Sequence, residues 1–184
     1  MEIKVTRTTN WERVVNAARF TERKAELGKE PSDKFKRNII RSEHSPIRLL
    51  EFDIKIMDIP YYAAMHLVRH FVGVEKFVST QRPDITGGKD RSELAQDEKV
   101  NLLMAANAQA IINISRLRMC SKADKTTRTI WALVVAEIRK QEPILADFCV
   151  PNCIAKGYCP EIKPCWFCKT KYYDYQRNQY ITRE

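Results

Sequence analysis

Five of the six cysteines of this 184-residue chain form the run Cys149-x3-Cys153-x5-Cys159-x5-Cys165-x2-Cys168. Thiolates at that density can hold zinc, which takes four sulfur or imidazole ligands in a tetrahedron. Cys165-x2-Cys168 has the gap of a metal knuckle, and the other gaps are not standard. Cys153, Cys159, Cys165 and Cys168 are therefore the candidate zinc ligands. The alternative is a set of reduced, packed thiols in an irregular tail. The common iron–sulfur spacings are absent.

Three further groups carry chemistry. Arg69-His70 closes an apolar segment. A guanidinium there offers a planar fork of donors to phosphate or to a pyrimidine edge. His70 reads equally well as a cation favoured by a helix C-terminus. Asn107, Gln109 and Asn113 lie in an apolar stretch that runs on to Arg116 and Arg118. Amides in such surroundings must be paired, either to other helices or to a ligand rich in donors and acceptors, such as a flavin ring or a ribose. Ser79 stands in Val78-Ser79-Thr80-Gln81-Arg82. A serine nucleophile needs a base and an orienting acid, and no signature joins Ser79 to His44, His66 or His70. It reads as a donor to an anionic ligand.

The elements that must position these groups follow from periodicity. Residues 2–7 alternate as a short strand. Asn10 caps a helix through about Arg23, with Trp11, Val14, Val15 and Ala18 on one face. Ser32 caps a second helix over 33–42. Residues 47–57 alternate as a strand, with Leu50, Phe52, Ile54 and Ile56 on one side. Asp58 and Pro60 start a helix over 60–70. Residues 71–80 are irregular or strand-like, and a loop with Pro83 and Gly87-Gly88 follows. A long Ala-rich helix is expected over 92–118, carrying Leu103, Ala106, Ala110, Ile114 and Leu117. Another spans 121–141, and Pro143 ends it or begins a short sequel.

Strands and helices in this order argue an α+β fold, with a short antiparallel or mixed sheet and long helices. A main domain over 1–148 and a Cys-rich basic and aromatic tail over 149–184 are expected. Neither a GxGxxG nor a GxxxxGK[ST] run is present, so a nucleotide must be held by another device. The charge is +9, from 32 Lys+Arg against 23 Asp+Glu. That favours an anionic partner. No apolar run reaches membrane-span length, and the first residues lack the pattern of a signal peptide. A cytoplasmic location without a membrane partner is the expectation.

In order and spacing these pieces resemble the flavin-dependent thymidylate synthases. Ala17-Ala18-Arg19-Phe20-Thr21 is similar to the family's AAR-x-S/T segment, and Glu43-His44-Ser45-Pro46 to its HSP segment. Arg69-His70 begins what looks like the RHR-x7-S signature, with Ser79 at its serine. Asn107, Asn113 and Arg118 look like the two Asn and the Arg of the family's long helix. The likeness runs from about residue 5 to residue 145.

The resemblance implies reductive methylation of dUMP to dTMP, with FAD as cofactor, NADPH as reductant and methylene-tetrahydrofolate as one-carbon donor. It implies a homotetramer whose flavin sites are shared between subunits. Thr21, Ser45, Arg69, His70, Asn107 and Asn113 are then the implied FAD contacts. Ser79 and Arg118 are the implied catalytic residues. Ser79, Arg82, Arg91 and Arg118 are the implied contacts to dUMP, with Arg118 near the uracil.

The chain departs from the pattern at Phe71, where the family has Arg, and at Lys76-Phe77, where it has Asn-Glu. Gln81 replaces an Arg, and His66 a Gln. The flavin contacts persist better than the substrate contacts. This leaves open a related pyrimidine-nucleotide modification such as hydroxymethylation, or a relative without synthase activity. A reading from another class is a basic nucleic-acid-binding module with a zinc tail, in which Lys169, Lys171, Tyr172, Tyr173, Tyr175 and Arg177 interleave aromatic and basic groups. The collinear Arg and Asn residues favour the flavin enzyme, for which a nucleic-acid partner is not expected.

Overall fold

A computed structural model describes residues 1–182. The chain runs β1 (Glu2–Arg7), α1 (Trp11–Thr21), α2 (Asp33–Arg41), a 3-10 turn (Ser45–Leu49), β2 (Glu51–Pro60), α3 (Tyr61–Val68) and β3 (Val74–Val78). It continues with α4 (Pro83–Thr86), a 3-10 turn (Arg91–Glu93), β4 (Lys99–Asn107), α5 (Ala108–Arg118), α6 (Lys125–Gln141) and α7 (Pro143–Phe148). The tail adds α8 (Asn152–Lys156), a 3-10 turn (Phe167–Lys169) and α9 (Lys171–Ile181). The strands form one four-stranded sheet in the order β1-β2-β4-β3, antiparallel at every pairing. The α+β expectation holds, and the sheet is antiparallel throughout.

Local chemistry explains the first helices. The Asn10 side chain accepts from the Arg13 N–H at 3.1 Å, and Ser32 accepts from Phe35 N–H at 3.3 Å. Each side chain satisfies an amide that the first helical turn leaves unpaired. α1 ends at Thr21, two residues short of the expected end, and Arg23 is left-handed with φ 56°.

The expected long helix over 92–118 is instead the end of a 3-10 turn, a loop, a strand and a shorter helix. Its middle is β4, a central strand paired with β2 on one side and β3 on the other. Val100, Leu102, Met104 and Ala106 alternate into the core. Leu and Ala favour helix intrinsically, but that preference is weak. Two flanking ladders outweigh it. Asn107 is thus not on a shared helical face with Asn113. It ends the strand and caps α5, accepting from the Ala110 N–H at 2.9 Å.

The expected strand over 47–57 begins later. Residues 45–49 form the 3-10 turn, and the strand continues to Pro60. It bulges between Ile56 and Ile59, where Asp58 is left-handed with φ 57° and its N–H donates to Asn101 Oδ1 at 3.0 Å. α6 starts at Lys125, because Asp124 caps it through the Thr127 N–H at 2.8 Å.

One face of the sheet is closed by the helices. Phe52, Ile54, Ile56, Leu102 and Met104 join Trp11 and Trp131 in a single buried cluster. Both indole N–H groups are paired, Trp11 to Glu142 at 2.8 Å and Trp131 to Ser115 at 2.9 Å. The other face carries Asp53, Lys55, Leu103, Ala105, Glu75 and Phe77, and stays partly open. Phe77 there is 61 % exposed.

Candidate functional site

Helices α3 and α5 end beside each other, and their last residues form the first part of the site. Arg118 Nε donates to His70 Nε2 at 2.9 Å, and Arg118 Nη2 donates to the His66 carbonyl at 2.6 Å. That fixes the guanidinium plane while committing neither bond to Nη1. Burial, then the neighbouring Arg118 and Lys76 charges, push His70 down to about 4. The imidazole is therefore neutral at pH 7, and Nε2 is an acceptor. Burial and the nearby Arg69 lower Arg118. His66 ties α3 to α6 through Thr127 Oγ1 at 2.9 Å. Arg69, His70 and Arg118 are thus gathered in one basic corner, where an anion or a polarised carbonyl gains charge-assisted donors.

The second part runs along α5. Asn113 Oδ1 accepts from Gln109 and Arg116, both at 3.3 Å. Gln109 Nε2 also donates to Glu43 at 2.7 Å, and Arg116 forms an ion pair with Glu43. Glu43 sits in a left-handed turn, φ 49°, just before Ser45. Its carboxyl is held below the ordinary range by Arg116 and Gln109, against burial, which acts first and in the other direction. Asn107 has its oxygen committed to the helix cap, and its Nδ2 lies against Gly73, where a Cβ would come to 2.5 Å. Both Asn side chains therefore have their oxygens engaged inside the chain and their amide nitrogens left as donors. Ser45 is exposed on the 3-10 turn packed against α5. Thr21 is exposed and its hydroxyl donates to Ala18 O at 2.7 Å.

The third part is a cavity of about 510 Å³ bordered by Tyr61, Met65, Ser79, Gln81, Arg91 and Gln96, among others. Ser79 Oγ accepts from the Asn101 N–H at 2.9 Å, which leaves its proton to donate. Gln81 Nε2 is buried with no hydrogen-bond partner. Arg82 is turned away into a two-point pair with Asp84 at 2.5 and 3.1 Å. Within one chain, Ser79 and Arg91 share this cavity, whereas Arg118 stands at the α3–α5 corner.

The cysteines split by environment. Cys149 is buried in the main core, and desolvation pushes its thiol up to about 12. Cys120, Cys153, Cys159 and Cys165 border a cavity of about 290 Å³. Among the described residues, no three His, Cys, Asp or Glu side chains stand in a metal-holding arrangement. Two of the interleaved aromatic and basic residues of the tail turn inward, while Lys169, Lys171, Tyr172 and Tyr175 are exposed. Tyr173 is buried with its hydroxyl toward Cys153 O at 3.4 Å, and Arg177 donates to Ile154 O and Ala155 O.

Glu43, Gly73 and the His66 carbonyl were not singled out by sequence reasoning as parts of the site. Glu43 lay within the HSP segment, and its left-handed turn had no local signal. Gly73 lay inside the signature loop, where a glycine marks a close backbone approach.

This architecture is that of the flavin-dependent thymidylate synthase fold. Two structures of ThyX from Helicobacter pylori with FAD and dUMP align with it at TM-score 0.67 and 15 % identity, over 82 % of this chain and 99–100 % of theirs. PolB from Streptomyces cacaoi, a UMP/dUMP methylase bound to 5-Br dUMP, aligns at TM-score 0.62 and 15 % identity, over 80 % of this chain and 94 % of its own. No protein-family model matches the sequence, and no curated protein matches it. Among the described residues, no helix is long and apolar enough to cross a membrane.

Proposed function

We propose that this protein is a flavoenzyme that methylates a uracil nucleotide, dUMP in the first instance, using methylene-tetrahydrofolate and NADPH. The observation that carries the reading is the corner of Arg118, His70 and Arg69, on a fold shared with proteins bound to FAD and dUMP. In this reading Thr21, Ser45, Arg69, His70, Asn107 and Asn113 hold FAD. The donor set fits a flavin, whose ring presents carbonyls and nitrogens to amide N–H groups and whose diphosphate needs cations. When bound, FAD supplies the hydride that completes the new methyl group.

The chain's own residues do the rest. Arg118, oriented by a neutral His70, donates to a uracil carbonyl and stabilises the negative charge that develops as C5 becomes nucleophilic. Ser79 donates its hydroxyl proton, and Arg91 brings charge, to the nucleotide's phosphate. Arg118 does not border the Ser79 cavity within one chain, and in this reading another copy in a homotetramer completes the site. Exposed Phe71, Val72 and Phe77 supply apolar surface for that packing. Gln81, Lys76 and Phe77 weaken the grip on dUMP compared with ordinary members of the family.

The test is made on one preparation. FAD binding by calorimetry, a tetrameric mass by light scattering, and dTMP formation from dUMP slower than roughly 1 per second are expected. A monomer that binds no flavin would remove the reading. Mass spectrometry of the nucleotide product separates methylation from hydroxymethylation, the alternative that the altered signature loop supports.

A further inference from the structure

The tail beyond Cys149 carries cations that the fold leaves unpaired. Residues 150–182 hold Lys156, Lys163, Lys169, Lys171 and Arg177 against Glu161 and Asp174, five cations to two carboxylates, a formal +3. Arg177 is turned inward onto the carbonyls of Ile154 and Ala155. Among the described residues, none of the four lysines stands in an ion pair.

Aromatic rings stand open among these cations. Trp166 is 65 % exposed, and Tyr172 and Tyr175 are 61 % exposed each. Trp166 is also left-handed, φ 66°, a conformation with a steric cost for any residue but glycine. An indole both strained and solvated does little for stability, and such residues cluster where a ligand is met. The rings form one line. The Lys169 ammonium lies 4.3 Å from the centroid of the Trp166 ring. Phe167, next in the chain, meets Tyr172 edge-on at 6.2 Å between centroids. α9 is anchored by Tyr173, by Arg177 and by Tyr180, whose ring packs 5.7 Å from that of Phe148. That anchoring leaves Lys171, Tyr172 and Tyr175 exposed. Residues three and four apart are neighbours on a helix, so Tyr175 adjoins both Tyr172 and Lys171.

Unpaired cations spaced between accessible rings suit a polymer that repeats an anion and a flat base. Any base can stack on an aromatic ring, and each lysine can neutralise a phosphate. A duplex keeps its base faces inside its own stack, so the fit is to a single strand. A second copy of this chain would set the same cations against one another. A membrane surface calls for a continuous apolar face, and here exposed Asp174, Asn178 and Gln179 share α9 with the tyrosines.

We propose that the tail binds single-stranded nucleic acid, with bases stacked on Trp166, Tyr172 and Tyr175 and phosphates met by Lys169 and Lys171. The surface is independent of the flavin reading. None of these five residues lies at the α3–α5 corner or borders the Ser79 cavity.

The experiment titrates the full, reduced chain into a labelled oligodeoxythymidylate of roughly 12 nucleotides, a length within the site sizes of single-strand binders, and reads fluorescence anisotropy. Binding is expected, tighter than to a duplex of the same length. Two lysines on phosphates should make log K fall against log salt with a slope of about −1.4. Tyr172→Ala and Trp166→Ala should each weaken binding roughly five-fold or more. Lys169→Gln with Lys171→Gln should bring the slope close to zero, with the melting temperature unchanged. Lys34→Gln, at an exposed position of α2, should alter neither affinity nor slope. No binding by the wild-type chain overturns the proposal. So does binding that ignores the double lysine variant, which would assign it to the chain's overall charge. Equal affinity for the duplex, or for anionic lipid vesicles that answer to the same variants, overturns it as well.

Discussion

Arg118, Asn107 and Asn113 each approach the surface with one end already held inside the chain, by His70 and the His66 carbonyl, by the α5 cap, and by Gln109 and Arg116. The loop after β3 is arranged differently. Gln81 Nε2 has no partner, and the Arg82 guanidinium pairs with its near neighbour Asp84. Held side chains lose little further freedom when a ligand arrives, whereas loose ones must be ordered by it. The contrast divides the proposed site into a rigid part, the flavin contacts together with Arg118 at the uracil, and an adaptable part, the loop after β3 at the nucleotide's phosphate. Changes on the rigid side should therefore be the costly ones.

Arg118→Ala tests that division most severely. It removes the donor aimed at the uracil and leaves His70 and the His66 carbonyl without theirs. A charge-assisted hydrogen bond is worth roughly 1.5–3 kcal/mol, so kcat/KM for the nucleotide should fall about 10-fold to 150-fold or more. FAD affinity, measured by calorimetry on the same preparation, should change far less. The opposite pattern would mean that the two ligands are assigned the wrong way round along α5.

A pair of glycine substitutions compares the two regions directly. Gly73 and Gly87 are both left-handed, with φ 72° and 66°. A Cβ on Gly73 would sit 2.5 Å from Asn107 Nδ2, while one on Gly87 meets nothing within 4 Å. Both Ala variants carry the backbone cost of roughly 1–2 kcal/mol, visible in thermal unfolding. Only Gly73→Ala should also displace the Asn107 amide and weaken FAD binding. Equal flavin affinities in the two variants would detach Asn107 from the cofactor.

His70 gives the rigid side a pH signature. Its folded value is about 4, below the ordinary 6.5. The unfolded chain therefore takes up the proton first as pH falls, and stability should decline between about pH 6.5 and 4 and then level off for this group. His70→Gln should flatten that part of the stability profile measured by chemical denaturation. An unchanged slope in the variant would place the responsible group elsewhere.

Much of the framework was legible because its causes are local. Asn10 and Ser32 cap the helices they announce, and the alternation of Phe52, Ile54 and Ile56 marks a strand. Residues 99–107 read as helix because Leu and Ala suit both periods, and only pairing with β2 and β3 makes them a strand. Glu43 and Gly73 were invisible for the same kind of reason. Glu43 works through Arg116 and Gln109, far along the chain, and Gly73 through the space taken by Asn107. The Arg69, His70 and Arg118 corner was readable only as a collinear set, since its hydrogen bonds join residues about fifty positions apart.

Gln81 is where the adaptable side should be easiest to improve. It lines the Ser79 and Arg91 cavity with a buried, unpartnered amide nitrogen, at a position where the family resemblance places an Arg. An amide gives a phosphate at most a neutral donor, whereas a guanidinium gives a charged fork. The loop is exposed over most of its length, so a longer side chain can be accommodated by moving the backbone instead of straining a core. Gln81→Arg should then tighten nucleoside monophosphate binding by roughly 0.5–1.5 kcal/mol, a few-fold in Kd. The gain should shrink with added salt as screening grows, and it should vanish for the nucleoside, which lacks the phosphate. FAD affinity and melting temperature should stay where they are. A gain that persists with the nucleoside would show that residue 81 meets the sugar or base, and that the anion is held elsewhere in the cavity.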